Sequence, residues 1–275
     1  MSVADLLDTD RICAIAHRGG SRLRPENTIA AFDHAAALGV DALECDVHLS
    51  RDGEVVVIHD GTLERTTDAV GEVGARTADE LSRVDAAYHF GAEDGYPFRG
   101  RGIGVPRLET LLIRHSDRPW IIEIKGERAD LARRVLDVVR ETGAGDRVIV
   151  GGFSHDVVRE VRRLASSIPT SAARLEVQSA LRRSFFRIAP RRSGYELFQV
   201  PVRLRGRHVL TRAFVRTARR AGIPVQAWIV DDADEMRKLI GWGVTGLISD
   251  RPDVAMRVRA DHVLGPASSA DRVQP

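Results

Sequence analysis

Five residues able to hold a cation or move a proton stand at the ends of three short apolar runs. They are His17 after Ala14-Ile15-Ala16, Glu44 and Asp46 around Cys45, and Glu123 and Lys125 around Ile124. Side chains two apart on an extended strand point the same way. Glu44 therefore shares a face with Asp46, and Glu123 with Lys125. Left alone, carboxylates gathered at one place repel, and a divalent cation neutralises them. An oxygen-rich set of Glu44, Asp46 and Glu123 suits Mg²⁺ or Ca²⁺ better than Zn²⁺, which favours histidine and cysteine. Salt bridges on a wet rim would explain one such acid; three in register beside a lysine exceed that account. Lys125 is one of only two lysines, with Lys238, in a chain that otherwise uses arginine. A compact point charge at that strand end suits an anionic group.

A second histidine reaches the same place. Ser50-Arg51-Asp52-Gly53 is a turn signal, and Val55–His59 runs straight back from it. So short a link cannot make a parallel crossover, which makes the segment a hairpin arm and sets His59 near Asp46. Histidines titrate near pH 6.5, so His17 and His59 can act as a base and an acid at neutral pH.

The elements that position these residues alternate along the chain. Strands are predicted at Ile12–His17, Asp41–Leu49, Trp120–Lys125, Arg147–Gly151, Thr170–Arg174, Glu196–Val200, Pro224–Trp228 and Thr245–Ser249. Helical patterns lie at Thr28–Leu38, Ala129–Glu141, Asp156–Ala165, Thr211–Ala221 and Asp234–Trp242. With the hairpin arm left out, eight strands alternating with helices predict an α/β fold, a (β/α)8 TIM barrel whose site lies at the carboxyl ends of the strands. No G-x-G-x-x-G follows the first strand, which argues against a doubly wound sheet. Residues 61–118 form an insertion, with helices near Thr77–Val84 and Arg107–Arg114 around a Gly- and aromatic-rich loop, Tyr88–Gly104. The barrel is expected to span 1–259 as one domain, and the polar, small-residue stretch 260–275 reads as a disordered tail.

Composition narrows the class of protein. The chain of 275 residues is 43% hydrophobic and 29% charged, within the globular range. No apolar stretch is long enough to cross a membrane, and the first residues lack a basic n-region, so a cytoplasmic protein is expected. Basic and acidic residues nearly balance, 41 against 39, and are interleaved, which argues against a nucleic-acid partner. Cys13 and Cys45 read as buried free thiols.

Several runs together resemble the glycerophosphodiester phosphodiesterase family. They are His17-Arg18-Gly19-Gly20, Pro25-Glu26-Asn27-Thr28, Glu44-Cys45-Asp46-Val47, His59-Asp60-Gly61-Thr62-Leu63-Glu64-Arg65-Thr66-Thr67 and Glu123-Ile124-Lys125. Ala227-Trp228-Ile229-Val230 and Gly246-Leu247-Ile248-Ser249-Asp250-Arg251-Pro252 are similar to its closing strands. The resemblance covers about residues 12–258 and implies a barrel with metal-dependent phosphodiester cleavage. Carried over by motif, Glu44, Asp46 and Glu123 hold the cation, His17 and His59 do acid–base work, and Arg18 and Lys125 hold phosphate. The chain departs from the family pattern at Gly61, at Gly151-Gly152 before Phe153, and at Ser249.

The expected reaction is hydrolysis of a small glycerophosphodiester to glycerol 3-phosphate and an alcohol. The alternative is a lysophospholipase D whose substrate carries an acyl chain, housed by the Tyr88–Phe98 loop and Phe185-Phe186. A more distant one is an Arg-rich nucleic-acid-binding module with an idle barrel. Trp228 is expected to wall the glycerol and Gln199 to contact the substrate. Glu26 can pair with Arg18, and Asn27 or Thr28 caps a helix. Ser184-Phe185-Phe186, in the basic stretch Arg182 to Arg192, reads first as a buried helix face, with weak lipid-surface contact as the alternative.

Overall fold

In the computed structural model, which describes residues 1–204 and 206–264, the alternation of strands and helices curls into a parallel barrel. The first elements are α1 (Val3–Leu6), β1 (Cys13–Ala16), α2 (Ile29–Ala37), β2 (Ala42–Leu49) and β3 (Val55–Val57). The insertion contributes α3 (Ala78–Leu81) and α4 (Leu108–Arg114). Then follow β4 (Trp120–Ile124), α5 (Ala129–Glu141), β5 (Val148–Gly152), α6 (His155–Leu164) and α7 (Arg174–Phe185). The chain continues through β6 (Phe198–Pro201), β7 (Arg203–Leu204), β8 (Arg207–His208) and α8 (Arg212–Arg220). It closes with β9 (Val225–Trp228), α9 (Ala233–Trp242), β10 (Gly246–Ser249) and α10 (Pro252–Leu264).

Seven strands run parallel in the order β5-β4-β2-β1-β10-β9-β6. The predicted fifth strand, Thr170–Arg174, shrinks to single-residue bridges from Thr170 to Val150 of β5 and from Ser171 to Leu197, just before β6. A helix cap cuts it short. The Glu176 carboxylate accepts the Ala173 N–H at 2.8 Å and is itself held by Arg162, so α7 starts where a strand was expected. β3 pairs antiparallel with β2, with Val47 opposite Val57, as the turn signal requires.

Strand alternation sorts the apolar residues into layers. Cys13, Ile15, Ala42, Ile121, Ile149 and Ile248 fill the barrel interior, which Val3 and Leu6 of α1 close at the amino end. The opposite faces of the strands pack on the helices, with Phe32 against Trp120 and Phe198 against Phe214. The insertion builds a smaller core of its own around Leu63, Leu81 and Val105, packed on Val56 of the hairpin arm. Side-chain caps at Thr28, Thr77, Ser154, Thr211 and Asp232 take the first free N–H groups of their helices.

Three expectations need correction. α3 stops at Leu81, three residues short of Val84. α10 runs through 260–264, which the sequence placed in a disordered tail, and residues 265–275 lie outside the described residues. Most informative is α7. Phe185 and Phe186 stand at its carboxyl end and are 74% and 77% exposed, so they form no buried face. Among the described residues, no helix is long and apolar enough to cross a membrane.

Candidate active site

β1 ends in a tight turn that aims two functional side chains at once. His17 leaves the strand, Arg18 takes a left-handed conformation at φ 51°, and two glycines follow. A Cβ on Gly19 would fall 2.7 Å from the Ala31 methyl, and one on Gly20 would fall 2.9 Å from the Pro252 ring. Both also sit at positive φ, so glycine is what lets this turn press against α2 and α10. The turn presents the Arg18 N–H to Glu44 Oε2 at 2.9 Å. It also seats His17, almost fully buried, with Nδ1 2.6 Å from Asp250 Oδ1. Asp250 is held in turn, because Asp231 accepts its backbone N–H and the Ser249 hydroxyl, each at 2.9 Å.

β2 and β4 lie in register with Asp46 beside Glu123. Oxygens of Glu44, Asp46 and Glu123 approach within 4.8 Å of one another. Burial drives the Glu44 carboxyl up to about 8, helped by the Asp46 charge. Burial also acts on Asp46, but Lys125 and Arg18 outweigh it and bring that carboxyl down to about 2. Lys125 Nζ lies 2.9 Å from Asp46 Oδ1 and also contacts Glu123. Arg18 Nε lies 3.0 Å from Asp46 Oδ2, while its Nη1 donates to Glu26 at 2.9 Å. Burial lowers both cations' affinity for their protons, yet the facing carboxylates outweigh it and leave both held more firmly.

His59 follows the hairpin arm, and its Nδ1 lies 2.6 Å from Asp60 Oδ1. Arg65 donates to the other Asp60 oxygen and to both oxygens of Glu26, so the histidine's support is braced against that of Arg18. His17, Arg18, Glu44, His59, Glu123 and Lys125 line one cavity of about 200 Å³, and Gln199 and Trp228 complete its wall. Trp228 meets Phe153 edge-on with ring centroids 5.9 Å apart. Gln199 reaches the cavity, with its amide nitrogen donating to Gln226 at 3.0 Å. A second, more apolar groove of about 420 Å³ adjoins the cavity and shares Glu123, Phe153, Gln199 and Trp228 with it. The rings of the insertion loop point elsewhere. Tyr88 and Tyr96 stack on the Arg99 guanidinium, and Phe90 packs on Phe98. Neither these rings nor Phe185-Phe186 line the apolar groove expected to need them.

The residues expected to do catalysis, hold the metal or bind substrate thus fall in one cavity, with Asp46 just beside it. Four supporting residues escaped that reading. Asn27, at φ 56°, donates from Nδ2 to Asp46 Oδ2 at 3.0 Å, while Thr28 is the helix cap. Asp60, Arg65 and Asp250 act on the histidines or their supports. Asp60 and Arg65 stand within the run that begins at His59, which is a local signal. Asp250 is 233 residues from His17, and only the closed barrel reveals the pair.

The residues present fit a hard divalent cation. The donors are all oxygen, and one oxygen from each of the three carboxylates lies within 4.8 Å of the others, close enough to share one ion.

Comparison with known proteins identifies the family and the fold. The glycerophosphoryl diester phosphodiesterase family model matches residues 17–254. A glycerophosphodiester phosphodiesterase of Caldanaerobacter subterraneus subsp. tengcongensis is 31% identical over 249 residues, 89% of this chain and 96% of the relative. The crystal structure of a glycerophosphodiester phosphodiesterase from Agrobacterium tumefaciens shares 27% identity with a TM-score of 0.70, covering 90% of this chain and 99% of that one. A phosphodiesterase of Oleispira antarctica, solved with the product sn-glycerol-3-phosphate, has the same fold at a TM-score of 0.74 and 24% identity, over 89% and 95% of the two chains. The chain belongs to the glycerophosphoryl diester phosphodiesterase family and is, like its relatives, a TIM-barrel phosphoric diester hydrolase.

Proposed function

We propose that this chain hydrolyses glycerophosphodiesters to glycerol 3-phosphate and an alcohol, with His17 and His59 exchanging protons across the phosphate. One observation carries the reading. Two histidines, each with Nδ1 2.6 Å from its own aspartate, face a cavity that Glu44 and Glu123 also line, with Asp46 clustered against them. A carboxylate on Nδ1 fixes the tautomer and leaves Nε2 free to take or give a proton.

One histidine removes the proton of the attacking hydroxyl, and the other gives a proton to the leaving alcohol oxygen. The resemblance points to the substrate's own 2-hydroxyl as first nucleophile. A cyclic phosphate then forms as the alcohol departs, and water opens it with the proton roles reversed. Arg18 and Lys125 offset the charge that grows on the phosphate oxygens. Glu44, Asp46 and Glu123 would hold a divalent cation, Mg²⁺ or Ca²⁺, which supplies Lewis-acid stabilisation of the phosphate. Trp228 and Gln199 contact the glycerol end.

Glycerol 3-phosphate release from glycerophosphocholine and glycerophosphoethanolamine tests the proposal. The wild-type chain releases product, and His17→Ala or His59→Ala cuts turnover about 10²- to 10⁴-fold. Near wild-type turnover in either variant would overturn that residue's role. A second reading, lysophospholipase D, is favoured by the adjoining groove, where Val177, Leu181, Pro201, Leu204 and Val209 offer apolar surface. Choline release from lysophosphatidylcholine, with none from glycerophosphocholine, would select it.

A further inference from the structure

The carboxyl end of α7 sets three exposed apolar side chains in a run of arginines. Phe185 and Phe186 are 74% and 77% exposed, and Ile188 beside them is 46% exposed. Around them stand Arg182, Arg183, Arg187, Arg191 and Arg192, and the stretch from 182 to 192 contains no acidic residue. None of these five arginines forms an ion pair among the described residues, although most other arginines of the chain do. Arg183 Nε donates to the Ala189 carbonyl within the tip, while Arg192 is anchored on the Ala221 and Gly222 carbonyls. The tip is built, not frayed. Arg187 turns the chain at φ 57°, and the N–H groups of Phe186 and Ile188 both return to the Arg183 carbonyl, at 3.0 and 3.1 Å. That closed turn holds the three apolar side chains outward.

We propose that this tip docks the enzyme on an anionic lipid surface, with Phe185, Phe186 and Ile188 entering the headgroup boundary and Arg182, Arg183, Arg187 and Arg191 meeting lipid phosphates. The inference concerns a surface outside the catalytic cavity, so it stands apart from the reaction assigned above. Charge complementarity selects the occupant. Pairing with a second copy about a two-fold axis would set the same unpaired arginines against themselves. The apolar residues continue a path that suits lipid. Val177, Leu181 and Phe185 are spaced four apart and share one side of α7, and the first two line the groove beside the active site. Amphipathic tips that pair aromatics with arginines bind interfaces through buried apolar area and attraction to anionic lipid together.

Sedimentation with vesicles tests this on the full chain. Wild type is expected to co-sediment with phosphatidylcholine vesicles containing phosphatidylglycerol, and to bind vesicles of phosphatidylcholine alone far less. Phe185→Ser/Phe186→Ser should weaken binding about tenfold or more. Each of Arg182→Gln, Arg183→Gln and Arg187→Gln should cost about fivefold. Turnover of glycerophosphocholine, a water-soluble substrate, should stay at the wild-type level in these variants, which also shows that they fold. Failure of wild type to bind anionic vesicles would overturn the proposal, as would binding that ignores the phenylalanine pair. So would loss of a dimer in Phe185→Ser/Phe186→Ser without vesicle binding by wild type, or retention of a single-stranded oligonucleotide in place of vesicles.

Discussion

Each histidine of the cavity carries its own aspartate, and the two pairs are held differently. Asp60 is the next residue to His59 and is clamped by Arg65 at its other oxygen. Asp250 comes from the far end of the chain and is clamped by Asp231 through its own N–H and the Ser249 hydroxyl. Burial opposes a charged His17, yet the Glu44 charge and the Asp250 hydrogen bond outweigh it and raise its affinity for a proton. Asp250→Asn keeps the shape and removes the charge. It should lower kcat about 10- to 100-fold and leave KM nearly unchanged, the pattern of a group acting through the histidine. An unchanged kcat would show that His17 needs no such partner. At this scale the sequence was legible where residues of known chemistry sit two apart on a strand. It was opaque where the partner is remote, as with Asn27 and Asp46, because nothing local distinguishes a ligand-holding asparagine from a helix cap.

Among the elements, the hairpin arm and the insertion do the positioning. β3 carries His59 to the mouth, and the insertion packs its small core onto that arm through Val56, Ile58 and Leu63. The close approach of the Gly104 backbone to Ser82 fixes how the insertion sits, since a Cβ there would fall 2.0 Å from the Ser82 carbonyl oxygen. Gly104→Ala should therefore destabilise the chain by about 1–3 kcal/mol, the usual cost of overpacking, seen as a lower denaturation midpoint. An unaltered midpoint would show that the loop adjusts freely. Apolar periodicity and turn residues made β2, β3 and α5 readable. They failed at α7, where an arginine-rich, mixed pattern hid a helix that starts at the Glu176 cap, and where exposed phenylalanines looked like core residues.

At the scale of the whole molecule, closure brings the last elements back to the first. β10 pairs with β1 in register from Cys13 and Gly246 to Ala16 and Ser249, which delivers Asp250 to His17. α10 then clasps the seam. Buried Asp41, at the start of β2, accepts the Ala14 N–H at 2.8 Å and pairs with Arg259 of α10. Asp41→Ala leaves that N–H and the arginine without their partner and should cost about 3 kcal/mol, at the lower end for a buried pair because Arg259 is partly solvated. Chemical denaturation measures it, and a loss under about 0.5 kcal/mol, typical of a surface pair, would contradict the clasp.

Glu44, Asp46 and Glu123, set side by side by the β2–β4 register, are proposed to hold a divalent cation that the hydrolysis requires. Initial rates of glycerol 3-phosphate release from glycerophosphocholine, in Mg²⁺ or Ca²⁺ and then in excess EDTA, test it most directly. Release is expected with metal, with loss of release in EDTA and recovery when the metal is restored in excess. Turnover that continues undiminished in protein shown to be stripped of metal would contradict it.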